Sequence, residues 1–545
     1  MLQLGNEGIV ISGAPVEGGE EILTPEALRF VADLHRCFES KRRDLLARRQ
    51  AVQAMMDAGG RPGFLAETRA IREGTWSAAA LPEDLRGQRI ECVGSVTGAD
   101  LVAGLNSSAN AYVADFAHAT SPTWHNLIQG QLHLAHAIRR TLVCPAPGPD
   151  GGQIELEPVV ATLIVQPRGW HLVEDRLAVD GAPVSASLMD AGLFLFHNAE
   201  RLRDGGSGPY FSLVGLQSHH EARLWNEVFL YAQHLLGVPV GTLRATISVD
   251  TIMGAFESEE IVHELREHAA GLVADRWNYL ASLIGRFHRR SDFRLPDADL
   301  ITMERHFLCA AAELVVDVAH RRGVPAIGDV SRQMPIPTDP IAHRVAMARV
   351  MADKTREAET SFDGTRVAHP GLVQLARGAF DAQRRGRDGG GRGRGPHSPE
   401  SGRRPRARDL QEIPAGSVTD EGMRTHVRVC LRYLESWLRG AGHVPVRHDL
   451  IDLAVVEAAR SQLWHWVSRG IELDDGRRVS AELYGAAADY EMGSIRRALG
   501  EEEWALGEFE RARALLDELV TGPQPVSYLT DRGMPALLER EISLG

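Results

Sequence analysis

Two features of this sequence have residue types that could hold a metal ion or a phosphate group. His118, Asp250 and the adjacent His219 and His220 could together bind Zn²⁺ or Fe²⁺, which imidazole ligands suit. Paired histidines in a loop are more often surface residues, however. The run Gly205-Gly-Ser-Gly208 lacks the Lys-Ser/Thr of a phosphate-binding loop, which indicates a turn. The five cysteines form no close pair, which argues against a zinc knuckle or a disulfide framework and favours a reducing cytoplasm.

From about residue 88, short apolar runs alternate with helical stretches. Eight such runs can be identified: Ile90–Val93, Ala111–Phe116, Ala161–Val165, Tyr210–Leu213, Ala245–Val249, Trp277–Ile284, Pro325–Ile327 and Arg366–Ala368. This alternation is typical of parallel strands joined by crossover helices. Eight strands predict an α/β protein with a (β/α)₈ TIM barrel, whose active site would lie at the carboxyl ends of the strands.

Helical periodicity dominates on either side of this region. Ala27, Val31, Leu34 and Phe38 predict an amphipathic helix from Thr24 to about Met56, and residues 411–545 are predicted to be helical throughout. Between the barrel and the C-terminal region, residues 381–410 are rich in Arg and Gly. From residue 384 to 408 there are nine Arg and two acidic residues, a charge of +7, which predicts a disordered linker.

The overall composition is that of a globular protein with two to four structural units. The chain has 545 residues and a net charge of −13, which argues against nucleic acid as a partner. The N-terminus lacks the features of a secretory signal, and no apolar run is long enough to span a membrane. We therefore expect a cytoplasmic protein without a membrane partner.

Longer blocks of sequence occur in a recognisable order along nearly the whole chain. They are Ala109–Phe116 with Ser121–Trp124, Pro167–His171, Phe196–Asn198, Gly206–Phe211, Glu221–Asn226, Gly271–Asn278, Ala368–Leu372, Tyr433–Trp437 and Ser461–Trp466. In the same order they resemble the blocks NVFMADFEDSxSPTW, RPRGWH, FHN, GSGPYF, EARLWN, GLNCGRWD, AHPGL, YIEAW and QLWQW of the malate synthase family of the glyoxylate cycle. So many blocks in one order exclude a chance match.

The resemblance implies both an architecture and a reaction. The architecture is an N-terminal helical clasp at 1–87, a TIM barrel at 88–380 and a C-terminal helical plug at 411–545 over the barrel mouth. The reaction is a Claisen-type condensation of acetyl-CoA, or a related acyl-CoA, with glyoxylate or another 2-oxo acid, followed by thioester hydrolysis. An acyltransferase with these small-molecule partners and with Mg²⁺ as cofactor is therefore expected.

The resemblance also implies which residues do the chemistry. The segment from His443 to Asp452 resembles CVPIYxLMED, which makes Asp452 the base that takes the proton beside the thioester. For a lone aspartate at this place, capping of the following helix is the alternative. Arg168 is the retained second arginine of RPRGWH and is predicted to be catalytic. Trp277 and Pro370 lie in matching blocks, Gly328 is the first residue of the segment that stands for GGMAAFIP, and all three are predicted to bind substrate.

Several positions of the resembling blocks carry different chemistry. Gln166 replaces the first arginine of RPRGWH, and so provides neither charge nor a bidentate donor. Asp250 replaces the glutamate that holds Mg²⁺, and Asn278 replaces the second metal-binding carboxylate. Ala117-His118 stands for the Glu-Asp pair of ADFEDS, and Gln217 for a glutamate of the block KMESH. Since Mg²⁺ prefers anionic oxygen, its binding should be weak or absent.

Two further segments within the predicted barrel differ from the corresponding blocks of the family. Gly328-Asp-Val-Ser-Arg-Gln-Met-Pro335 stands for GGMAAFIP, a loop on the CoA side, and Phe362-Asp-Gly-Thr-Arg366 stands for HDGTW. Three hypotheses remain open: an enzyme of the malate synthase type with altered substrate handling, a catalytically silent homologue with a binding role, and a working malate synthase that tolerates the replacements.

Overall fold

The computed structural model describes residues 2–4, 7–146, 151–290, 292–388 and 404–544. Strands are numbered β1 to β16 and helices α1 to α18 along these residues. The chain divides into two compact units. The barrel unit comprises 1–51, 63–275 and 312–404, and the C-terminal unit comprises 52–62, 276–311 and 405–545.

A closed barrel of eight parallel strands forms the centre of the barrel unit. Its strands are β3 (Arg89–Gly94), β4 (Ala111–Asp115), β7 (Thr162–Gln166), β10 (Tyr210–Leu213), β11 (Arg244–Val249), β12 (Ala269–Ala274), β13 (Ala326–Ser331) and β14 (Gly364–Val367). The order around the barrel is β10-β11-β12-β13-β14-β3-β4-β7. Parallel pairing joins each strand to the next, which confirms the predicted (β/α)₈ fold class.

The prediction of one barrel strand was wrong. Residues 277–284 belong to helix α9 (Arg276–Phe287), and the sixth strand in the sequence is the preceding run, β12. This strand reads Ala-Ala-Gly-Leu-Val-Ala and so has little of the β-branched and aromatic content that marks a strand. Its residues are all buried, and the closure of the sheet determines its conformation.

Helices cover the outside of the barrel. They are α3 (Gly98–Leu105), α4 (Trp124–Arg139), α5 (Ala186–Asp204), α6 (His219–Leu236), α7 (Ile252–Phe256), α8 (Ser258–Glu264), α10 (His306–Arg322), α11 (Pro340–Glu359) and α12 (Val373–Asp388). Before the barrel lie α1 (Pro25–Asp57), as predicted from its periodicity, and the short α2 (Arg69–Glu73). The N-terminal region is only partly helical, because its first strands pair in a four-stranded sheet. That sheet contains β1 (Leu2–Leu4), β2 (Ile9–Ile11), β8 (Val173–Val179) and β9 (Ala182–Ser185), and a separate small pair is β5 (Val143–Pro145) with β6 (Gln153–Glu155).

The C-terminal unit is mainly helical and has its own core. Besides α9, its helices are α13 (Asp420–Leu438), α14 (Leu453–Arg469), α15 (Ala481–Leu499), α16 (Glu501–Ala505), α17 (Phe509–Thr521) and α18 (Thr530–Leu544). Trp437 and Trp466 are completely buried in this core. The prediction that this region is helical throughout was wrong. A hairpin of β15 (His443–Val446) and β16 (Asp449–Asp452) interrupts the helices. The placement of this region over the barrel mouth stays a prediction.

Part of the predicted linker is ordered. Helix α12 continues to Asp388, and Arg404 forms ion pairs with the buried Glu259 and with Asp317. Residues 389–403 lie outside the described residues. Among the helices that the structure describes, none has the length and apolar character needed to cross a membrane.

Candidate functional site

Gln166 lies at the carboxyl end of β7 and is almost fully buried. Its Oε1 accepts a hydrogen bond from the Ser212 hydroxyl at 2.8 Å. Its Nε2 lies 3.3 Å from Nδ1 of His118. The amide that replaces the family's arginine therefore has both of its ends occupied by side chains from β10 and from the turn after β4.

His118 lies in a turn that is stabilised by the last residue of the preceding strand, β4. The Asp115 side chain, at the end of β4, accepts hydrogen bonds from the backbone N–H groups of Ala117 at 2.7 Å and His118 at 2.9 Å. The imidazole itself is 3.9 Å from the Asp115 carboxylate, beyond hydrogen-bonding distance. The turn thus places His118 beside Gln166.

A buried guanidinium is linked to Gln166 through the Ser212 hydroxyl. Arg366 on β14 donates from Nε to Glu91 at 2.8 Å and from Nη2 to the Ser212 hydroxyl at 3.2 Å. Glu91 also pairs with Arg89, so one carboxylate lies between two cations inside the barrel. Burial raises the pKa of Glu91, but Arg89 and Arg366 outweigh it and hold the pKa below its usual value. These three side chains together carry a net charge of +1.

Asp250 directly follows β11, and its carboxylate is buried. Oδ2 accepts from the Gly215 N–H at 2.7 Å, while Oδ1 has no hydrogen-bond partner in the described part of the chain. Burial above all, with the nearby Asp275 carboxylate, raises the pKa of Asp250 to about 7, although the Gly215 N–H and His118 lower it. At neutral pH this group is therefore not a full anion.

The side chains of the barrel unit do not fit Mg²⁺. Among the described residues, no group of three or more His, Cys, Asp or Glu side chains is arranged to hold a metal ion. Asp250 offers one carboxylate with Asp275 near it, and Asn278 stands at the position of the family's second metal-binding carboxylate, whereas Mg²⁺ needs several oxygen ligands, anionic ones among them, at close octahedral distances. His219 does not extend the set, because its Nδ1 lies 2.6 Å from Glu257 and its ring packs on His220.

Arg168 is held by two carboxylates in the barrel unit. It donates from Nε and Nη2 to Asp190 at 2.9 and 2.8 Å, and from Nη1 to Glu174 at 2.9 Å. Burial lowers the pKa of Arg168, but the two carboxylates outweigh this and raise it. Every nitrogen of the guanidinium is engaged, and this geometry favours a structural role over the predicted catalytic one.

Gly328 and Pro370 lie at different levels of the barrel wall. Gly328 was expected in a loop, but residues up to Ser331 belong to β13. A Cβ at Gly328 would lie 2.2 Å from the Glu357 carboxylate on α11, so close packing explains the glycine. Pro370 begins a short 3₁₀ helix just after β14. Their predicted contact with substrate stays a prediction.

The other three predicted residues belong to the C-terminal unit. Asp452 ends strand β16, and its side chain accepts from the Val455 N–H at 3.3 Å, so it caps α14. Trp277 and Asn278 lie in the first turn of α9, a helix that packs against α14. The Arg276 guanidinium lies 4.8 Å from the centre of the Trp277 ring. The cap does not exclude the role of Asp452 as a base, which stays a prediction.

Sequence reasoning missed Arg366, Ser212 and Glu91 as residues of this site. Arg366 was identified as a departure from HDGTW, and a charged residue within a predicted barrel strand was the available signal. The alternation of residues along a strand does not reveal that Arg366 contacts Ser212 on β10, which is four strands away from β14 in the barrel order. That relationship depends on barrel closure.

Comparison with known proteins assigns the chain to a family. Family models of malate synthase match the N-terminal domain at residues 7–70, the TIM barrel domain at 162–389 and the C-terminal domain at 417–537. The malate synthase of Myxococcus xanthus is 43% identical over 96% of this chain and 95% of that protein. The enzyme of Streptomyces clavuligerus is 42% identical over 96% of both chains, and that of Arabidopsis thaliana is 36% identical over 96% of this chain and 94% of its own. The chain belongs to the malate synthase family.

Proposed function

We propose that this chain is an acyl-CoA-condensing enzyme of the malate synthase type that handles its oxo acid differently from its relatives. The substrates would be acetyl-CoA or a related acyl-CoA, and glyoxylate or another 2-oxo acid. Similarity to malate synthases over 96% of the chain supports the reaction class. The retained carboxylate of Asp452 supports it as well. The observation that carries the altered handling is Gln166, whose amide is bound to Ser212 and His118.

In this proposal Asp452 takes a proton from the carbon beside the thioester. The electron pair of the broken C–H bond forms the new C–C bond to the carbonyl carbon of the oxo acid. The carbonyl oxygen gains the negative charge and then a proton, and water cleaves the thioester to release CoA. A donor must hold that oxygen while its charge develops. Gln166 cannot replace an arginine in this role, because it is neutral and its amide is already engaged.

The Mg²⁺-dependent reaction of this type should be slow in this chain. Mg²⁺ is the cofactor that the family resemblance implies, but the donor set around Asp250 does not fit it. Loss of one oxyanion donor alone commonly costs about 10²–10³ in rate. We therefore expect a different electrophile, or a slower reaction that does not depend on Mg²⁺.

Two other functions remain in competition with this one. A catalytically silent homologue with a binding role is supported by the same losses of charge at positions 166 and 278. A working malate synthase is supported by the 43% identity to the Myxococcus xanthus enzyme. Both competitors make a clear prediction about turnover, so a single assay separates the three.

The assay measures release of CoA thiol from acetyl-CoA and propionyl-CoA with a panel of 2-oxo acids: glyoxylate, pyruvate, 2-oxobutyrate and oxaloacetate. The proposal predicts release with at least one oxo acid in the presence of a chelator, and loss of that release in Asp452→Asn. The asparagine retains an oxygen that can cap α14, so folding should persist. If none of the oxo acids led to CoA release, the silent homologue would be supported. Fast CoA release with glyoxylate and Mg²⁺ would support the working malate synthase.

A further inference from the structure

Arg366, Ser212, Gln166 and His118 form one continuous line of hydrogen bonds in the barrel unit. The links are Arg366 Nη2 to Ser212 Oγ at 3.2 Å, Ser212 Oγ to Gln166 Oε1 at 2.8 Å, and Gln166 Nε2 to His118 Nδ1 at 3.3 Å. The first three residues are 4%, 0% and 3% exposed, whereas the side chain of His118 is 17% exposed. The line therefore runs from a buried cation to a side chain that solvent can reach.

The direction of every hydrogen bond in this line follows from its buried end. A guanidinium can only donate, so the Ser212 oxygen accepts from Arg366 and has one proton left to give. Among the described residues the acceptor within reach of that proton is the Gln166 side chain at 2.8 Å, so the atom of Gln166 that faces Ser212 is its oxygen. The opposite end of Gln166 is then the NH₂ group, which donates to Nδ1 of His118. Nδ1 must accept, and a neutral His118 must carry its proton on Nε2.

Three of the four residues stand where this chain departs from the family's motifs. Gln166 replaces the first arginine of RPRGWH, His118 replaces the aspartate of ADFEDS, and Arg366 replaces the tryptophan of HDGTW. These positions are far apart in sequence, yet their side chains join in one hydrogen-bonded line. Unrelated replacements would not be expected to meet in this way.

The geometry points to a donor relay: Arg366, Ser212 and Gln166 hold His118 in its Nε2–H form, and this N–H binds the carbonyl oxygen of the oxo acid in place of the missing arginine. The second half of this inference rests on the proposed function, while the first half does not. His118 would be the catalytic residue, because it touches the substrate. Arg366, Ser212 and Gln166 would be positioning residues that act through it.

The relay also bears on whether His118 binds a metal. A neutral histidine that binds a metal through Nε2 carries its proton on Nδ1. An Nδ1–H would then face the NH₂ group of Gln166, and two donors would oppose each other. The relay thus favours an oxygen ligand at His118 over a metal ion.

The test of the relay reads the tautomer of His118 directly. Full-length protein labelled with ¹⁵N-histidine would be studied by ¹H–¹⁵N correlation through the ring bonds, in chelator, and the His118 signals identified by their loss in His118→Gln. We expect an unprotonated Nδ1 and a protonated Nε2 in the wild type. Ser212→Ala removes the middle hydroxyl without changing charge and should abolish this preference. Ser212→Thr retains a hydroxyl and should preserve it.

Ser248→Ala is the matched control. Ser248 is also a buried serine on a barrel strand, but its hydroxyl has no hydrogen-bond partner among the described residues. This variant should retain the wild-type tautomer. A wild-type His118 with its proton on Nδ1, or an unchanged tautomer in Ser212→Ala, would overturn the relay.

The contact between His118 and the oxo acid has a separate test. Calorimetry with glyoxylate in chelator should show about tenfold weaker binding to Ser212→Ala, the loss expected for one hydrogen bond, and unchanged binding to Ser212→Thr and Ser248→Ala. Equal binding to the wild type and Ser212→Ala would overturn the contact and leave the relay standing. The release of CoA in the wild type and in Asp452→Asn decides the proposed function independently of both results.

Discussion

The Arg366 guanidinium meets the Ser212 hydroxyl across the inside of the barrel, with 3.2 Å between Nη2 and Oγ. Their strands, β14 and β10, are not neighbours in the barrel order, so the contact crosses the interior. Because Ser212 also binds Gln166, a positive charge lies one hydroxyl group away from the position where the family's motif has arginine. The interior therefore has a cation, but on a different strand.

Gln166→Arg should destabilise the protein on its own. The new guanidinium would occupy the space beside Ser212 and repel Arg366, and overpacking of a buried site costs about 1–3 kcal/mol. Adding Arg366→Trp removes the second cation and should recover at least half of that loss. Urea denaturation of the two single variants and the double variant gives the coupling free energy. If the effects of the two substitutions on the free energy of unfolding were additive, the side chains at positions 166 and 366 would not share one buried space.

Arg168→Met should lower the free energy of unfolding strongly. The substitution leaves Asp190 buried without its cation, whereas Glu174 retains Arg176, and breaking such a buried pair commonly costs about 3–5 kcal/mol. Arg69→Ala is the control, because Arg69 and its partner Glu73 are both exposed and such pairs contribute at most about 1 kcal/mol. If Arg168→Met were as stable as Arg69→Ala but inactive, Arg168 would be catalytic after all.

Asp250 should make stability depend on pH. Its pKa of about 7 in the folded protein lies above the value near 4 of an unfolded chain, so folding favours the protonated form. The contribution of Asp250 to the free energy of unfolding should therefore fall between about pH 4 and pH 7, by at most about 1.4 kcal/mol per pH unit. Asp250→Asn removes this contribution. In denaturation experiments with chelator, the free energy of unfolding of Asp250→Asn relative to that of the wild type should increase from pH 5 to pH 8. A difference that does not change with pH would contradict the raised pKa of Asp250.

Arg404→Ala should destabilise the barrel unit more than Arg408→Ala does. Arg404 pairs with the buried Glu259, which still retains Arg321 and Arg322 in the variant, so the loss should be only about 1–2 kcal/mol. The Arg408 side chain is 70% exposed and should contribute almost nothing. Thermal unfolding of the two variants measures the difference. Equal melting temperatures would show that the Arg404 contact adds nothing to stability.

Local sequence signals predicted those elements whose own residues determine their conformation. The first long helix was predicted from Thr24 to about Met56, and α1 spans Pro25–Asp57, because its apolar residues repeat at the helical period over many turns. The hairpin of β15 and β16 was missed. Its two-residue loop is Arg447-His448, and Arg447 adopts φ 56° without the Gly or Asn that usually marks such a turn.

The site was predictable only in part for a related reason. Motif positions identified Gln166 and Asp250 as replaced residues, and both lie at carboxyl ends of barrel strands, where barrel active sites are found. The sequence did not predict that Arg366, Ser212 and His118 join Gln166, since their contacts require the closed barrel. The raised pKa of Asp250 likewise depends on burial and on Asp275, which only the fold reveals.

We propose that this member of the malate synthase family activates its oxo acid without the Mg²⁺ and the arginine that the family's motifs imply. The most direct measurement is the initial rate of CoA release from acetyl-CoA and glyoxylate, with Mg²⁺ and with chelator, beside the Myxococcus xanthus enzyme. We predict that the rate with Mg²⁺ is at least about a hundredfold below that of the relative, and that chelator leaves it unchanged. A rate comparable to that of the relative, abolished by chelator, would contradict the account.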